Sequence, residues 1–175
     1  MMLEENEKKQ IEEWTQKKCT EFLFDSEKDD WNYQTSVFDT KIINKSNLLF
    51  LLEDTENNKC GYFFNGTITT TNNWIKGNNS FMFILQSNGR INKMMKFEEQ
   101  NNTLGLFVGN KDHEHIYHIN WGYTIHKEKT KSESMHGEHP SYFNLHGTTK
   151  AFHKDLSPSG VVKFTPKRFV VLQMK

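Results

Sequence analysis

The sequence predicts an α+β fold that is mainly β: a two-layer antiparallel β-sandwich with a few flanking helices. Helical periodicity is confined to the N-terminal part of the chain. Beyond it, apolar runs of strand length recur between turn signals, at residues 48–52 (LLFLL), 81–85 (FMFIL) and 169–172 (FVVL). The third observation is strict alternation. Tyr117, Ile119, Trp121, Tyr123 and Ile125 share one parity, and His118, Asn120, Thr124 and His126 share the other. That is the period of a strand with one buried and one wet face.

The elements follow in chain order. Leu3, Ile11, Trp14, Cys19 and Phe22 fall in one broad stripe at helical spacing, surrounded by Glu and Lys. An amphipathic helix is therefore expected over residues 1–21, ahead of a sandwich domain at 22–175. The stripe is broken and short for a coiled coil, which favours a helix packed on its own domain. After an acidic stretch ending at Trp31, Ser36 and Asp39 have the spacing of a capping box, with Asp in place of Glu or Gln. Val37, Phe38 and Ile42 then anchor a short helix ending near Asn44. Residues 48–52, the Asn57-Asn58 pair and residues 60–64 read as a hairpin. Residues 81–85 lead into Asn88-Gly89, a strong hairpin signal. Leu104, Leu106 and Val108 alternate, and Gly122 marks a bulge or bend inside the longest alternating segment. Residues 127–140 are charged and polar, as in a solvated loop. Pro166 stands just before the last run, whose apolar character at every position predicts a strand covered on both faces.

Composition narrows the function. The chain has 175 residues with 22 Lys+Arg against 22 Asp+Glu, a formal net charge of zero. Nucleic-acid binding through displaced counterions is disfavoured, as is attachment to anionic lipid by charge. Hydrophobic residues make up 35% of the chain and aromatics 13%, with 14 Phe, so large rings must supply much of the buried area. The charged start lacks an apolar leader, and the longest apolar run is too short for a membrane span, so a cytoplasmic protein without membrane insertion is expected. Cys19 and Cys60 read as reduced, buried thiols.

All eight histidines lie between His113 and His153. The string Asp112-His113-Glu114-His115, with His118, offers metal-ligand types at close spacing. On a regular strand His113 and His115 share one face and His118 takes the other, so one ion cannot collect all three. His113 and His115 are the metal candidates, with a third ligand from elsewhere. Other chemistry finds no purchase: there is no Gly-X-Ser-X-Gly elbow, phosphate loop, dinucleotide fingerprint or Cys-X-X-Cys pair. No catalytic residues and no cofactor are expected. Trp121 has the parity of the apolar face, which argues for core and against a sugar-binding platform of tryptophans.

Several strings resemble a known family. Phe24-Asp25-Ser26, Trp31, Ser36-Val37-Phe38-Asp39-Thr40-Lys41-Ile42 and Asn44-Lys45-Ser46-Asn47-Leu48 are similar to the opening of a TLDc domain. Residues 51–62 (LLEDTENNKCGY) resemble that family's first hairpin, and residues 81–90 and 164–174 match further segments. The similarity runs from about residue 22 to 174. Tyr62 stands where a second glycine is common and Tyr123 where Asp is frequent; the histidines at 113–118 are not a family feature. The resemblance implies a β-sandwich with flanking helices and no catalytic constellation. It also implies a role in protection against oxidative stress and, as for some members, binding of the vacuolar proton-pumping ATPase and regulation of its assembly. A non-enzymatic interaction domain with a protein partner is the resulting expectation. The alternative is a metal-binding β-sandwich enzyme or sensor built on His113 and His115.

Overall fold

The computed structural model describes residues 3–89, 91–99, 105–120, 122–135 and 161–175, with Met135 described by its backbone alone. Helix α1 covers Glu5–Thr15. The Glu4 N–H donates to the Glu7 carboxylate at 2.8 Å, half of a reciprocal capping box that satisfies the first free amides. The helix ends where Gln16 turns left-handed (φ 55°), well short of residue 21. Cys19–Asp25 is instead a strand, β1. The reason is tertiary. Backbone bonds in both directions between Lys18 and Lys175 hand the chain to the C-terminal strand directly after the helix. Cys19 and Phe22 thus join the helical stripe by coincidence of spacing; Phe22 is an exposed strand residue.

The remaining elements are α2 (Phe38–Ile42), β2 (Ser46–Asp54), β3 (Asn58–Thr67), β4 (Trp74–Ile75), β5 (Phe81–Ser87), β6 (Met95–Glu98), β7 (Leu106–Val108), β8 (His115–Ile119), β9 (Tyr123–His126), β10 (Glu133–Met135), β11 (Val161–Lys163) and β12 (Pro166–Met174). They form two antiparallel sheets, ordered β1-β12-β2-β3-β5-β6 and β11-β10-β9-β8-β7-β4. The mainly-β sandwich read from the sequence is the fold.

The first sheet is covered on both sides, which explains its unbroken apolar runs. Leu48, Phe50, Leu52, Tyr62, Phe64, Met82, Ile84, Phe169 and Val171 face the second sheet and form the main core with its Tyr117, Ile119, Tyr123 and Ile125. The alternate residues Leu49, Leu51, Phe63, Phe81, Phe83, Val170 and Leu172 form a second cluster under α1, with Leu3, Ile11 and Trp14. Residues 48–52 are all fully buried for that reason. Gly61 is forced by close packing on β3: a Cβ there would sit 2.2 Å from the Phe50 carbonyl oxygen and 2.3 Å from the Phe83 ring. Polar groups pin the layers. Lys59 on β3 reaches both Glu7 oxygens at 2.8 and 2.9 Å, a buried pair that ties α1 to the sheet. Arg168 on β12 grips Asp25 of β1 with two hydrogen bonds of 3.0 and 2.8 Å. Asp54 closes the β2–β3 hairpin by accepting from the Glu56 and Asn58 amides, each at 2.9 Å, while Asn57 takes φ 61°.

Three sequence expectations resolve differently in detail. Ser36 accepts from the Phe38 amide at 3.3 Å, but Asp39 does not reciprocate in a capping box. Asn88-Gly89 does turn left-handed (φ 41° and 78°), yet the β5–β6 ladder stops at Ile84↔Met95, so the connection is longer than a two-residue turn. The alternating segment is not one strand: β8 and β9 pair back on each other, Tyr117↔Ile125 and His118↔Thr124. Gly122 lies in the turn between them, and Met82 sulfur would be 2.7 Å from a Cβ there. Trp121, Leu104 and residues 136–140 of the predicted loop lie outside the described residues.

Candidate functional site

The outer face of the second sheet carries a cluster of imidazoles with a carboxylate beside it. A register shift between His115 and Tyr117 creates it. Ile116 and Tyr117 are consecutive, yet both are fully buried in the inter-sheet core. A bulge of this kind reverses parity, leaving His115 and His118 on the same, outward side with rings 6.2 Å apart. The expected opposition of these two residues is thereby removed.

His115 pairs across the ladder with His126, and their rings lie 4.3 Å apart. Glu114 approaches from the preceding residue, its carboxylate 3.5 Å from His115 Nε2. One ligand atom from each of Glu114, His115 and His126 lies within 4.8 Å of the other two. His113, the other sequence candidate, plays a different part. Its Nδ1 accepts the His115 backbone N–H at 3.0 Å and its ring rests 4.9 Å from Phe107, so it holds the strand entrance in shape. His118 packs on Trp74 at 5.0 Å.

The surroundings are built to hold this arrangement. Gly109 lets the chain fold back closely, since a Cβ there would meet the His115 carbonyl oxygen at 2.1 Å. Asn110 caps the following turn by accepting from the Asp112 amide at 3.0 Å. The Lys127 amide donates to the Glu114 carbonyl at 2.9 Å, and the His126 amide donates to Ser132 Oγ at 3.1 Å. Burial, then the neighbouring imidazoles of His126 and His113, push His115 down to about 4. Burial first, and His115 next, hold His118 down to about 4, and burial lowers His126. Near neutral pH these imidazoles carry free lone pairs.

A family model for the TLDc domain matches residues 1–157 of the 175-residue chain. The chain belongs to the TLDc family. The matched range includes α1 and both sheets as far as β10; β12, whose sequence also resembles the family, lies beyond it but is hydrogen-bonded between β1 and β2. No curated protein matches the chain. The TLDc family is linked to oxidative-stress resistance. In this TLDc domain the two thiols are poorly suited to redox turnover. Burial, aided by Glu12, pushes Cys19 up to about 11, and burial raises Cys60 well above the ordinary thiol value.

Sequence reasoning had Glu114 in the string of ligand types beside His115 but missed His126 as their companion. His126 was visible as an even-parity residue of the alternating segment. Its position opposite His115 depends on the hairpin that divides that segment.

Proposed function

We propose that this TLDc domain is a non-catalytic interaction module that contributes to oxidative-stress protection by binding a protein partner, with the vacuolar proton-pumping ATPase as that partner. Membership of the TLDc family is the observation that carries this reading. Two features of the molecule support it. The thiols are protonated and buried or half-buried, which favours contact over thiol chemistry. Large apolar side chains stand in solvent on a rigid sandwich, Phe22, Tyr33 and Trp74 each being about half exposed (48%, 56% and 45%). Aromatic side chains are enriched in protein interfaces.

Mixing the purified full chain with the purified proton-pumping ATPase tests the reading. A complex that co-elutes on size exclusion, with altered assembly of the pump, is expected. Absence of a complex at micromolar concentrations of both overturns the choice of partner, and a measured turnover by the chain alone overturns the non-catalytic reading.

A further inference from the structure

We propose that Glu114, His115 and His126 form a binding site for one divalent transition-metal ion, with Zn²⁺ the best match, on the outer face of the second sheet. This goes beyond the interaction role and stands independently of it.

The donor set comes first. Two imidazoles and a carboxylate suit zinc, whereas calcium and magnesium demand oxygen ligands. Distance comes next. Around a tetrahedral ion with bonds of about 2.1 Å, ligand atoms lie about 3.4 Å apart. His115 and Glu114 already approach to 3.5 Å, and all three donors lie within 4.8 Å of one another. Glu114 is mostly exposed (70%), so its carboxylate has room to rotate toward both imidazoles. The fourth position falls to water.

The backbone that carries the two imidazoles is held in place. His115 and His126 are fixed by ladder pairing, the His115 amide is held by His113, and the His126 amide by Ser132. Glu114 and His126 line a cleft of about 460 Å³ with Tyr33, Lys127, Glu128 and Lys131, which gives a hydrated ion its approach. The nearby cations are already engaged: Lys127 donates to the Asn110 and Lys111 carbonyls at 2.8 and 2.6 Å, and Lys131 pairs with Glu128 at 2.8 Å. Bound there, the ion would staple the open end of the β8–β9 hairpin, opposite its turn.

Calorimetric titration of the untagged, chelator-treated full chain with ZnCl₂ tests the site. One equivalent bound to the wild type is expected, together with a raised melting temperature. His115→Gln and His126→Gln should each lose that equivalent, Glu114→Gln should weaken it, and His118→Ala should keep it. The four histidines outside the described residues, His136, His139, His146 and His153, supply the competing explanation. Loss of the equivalent on replacing them, with retention in His115→Gln and His126→Gln, overturns the site, as does failure of the wild type to bind. Should either Gln variant misfold, Co²⁺ binding to the variant lacking those four histidines decides: intense visible bands of four-coordinate cobalt support the site, and a weak six-coordinate spectrum or no binding overturns it.

Discussion

Asp25 shows how one residue makes the fold sensitive to acid. Burial raises its carboxyl, but the Arg168 fork, the Glu27 amide and Lys28 together outweigh that and hold it below the ordinary carboxylate value. A depressed folded-state value contributes stability that is complete above the unfolded value of about 3.9 and disappears as pH falls through the folded one. Urea midpoints should therefore decline as pH drops below about 4, and Arg168→Met should flatten that decline. An unchanged slope in the variant would mean that Arg168 does not set the Asp25 carboxyl. At Gly61 the constraint is steric: the carbonyl oxygen of Phe50 and the Phe83 ring occupy the space a methyl needs. Gly61→Ala should cost roughly 1–3 kcal/mol in chemical denaturation, the usual range for overpacking, because backbone on the neighbouring strand must give way. The same local scale limits sequence reading. The apolar run at 169–172 announced a strand covered on both faces, and it is one; residues 48–52 announced a strand, and their burial on both faces came only with the structure. That His115 joins His118 and His126 on the outward face could not be read, because one extra residue at Ile116 shifts the register and depends on what β9 offers across the ladder.

Helix α1 illustrates how an element is held and why its end was misread. Its apolar contacts are few, Leu3, Ile11 and Trp14, so the buried Glu7–Lys59 pair matters to its docking. Lys59→Met should destabilise the protein by about 3–5 kcal/mol, since it leaves the Glu7 carboxylate buried without its partner. The double variant Glu7→Leu with Lys59→Met should recover most of that loss. Thermal and urea melts of the two variants check both statements, and equal losses in single and double variants would refute the pairing argument. The predicted extension of the helix to residue 21 followed helical spacing at Cys19 and Phe22. Spacing cannot report that Lys18 meets Lys175, the long-range contact that makes the next segment a strand.

At the scale of the whole molecule, the aromatic residues explain how a chain only 35% hydrophobic closes a two-layer core. Phe38 of α2 stands at the junction, 4.9 Å from Phe24, 5.7 Å from Tyr117 and 6.1 Å from Phe169, and so touches both sheets. Phe38→Ala should cost about 3–5 kcal/mol. If the sheets unfold as one unit, far-UV dichroism and tryptophan fluorescence should lose structure in a single, coincident transition. Two separated transitions would show that the sheets melt independently. The neutral charge balance takes its place here too: among the described residues surface cations and carboxylates pair, as in Lys167–Glu53 and Lys163–Glu133. The sheet order carries a last consequence, for birth on the ribosome. Because β12 lies between β1 and β2, the first sheet stays open along its middle until residue 174 has left the exit tunnel. Until then β1 has no neighbour and β2 has an uncovered edge, which makes the nascent chain a natural client for chaperones that shield strand edges.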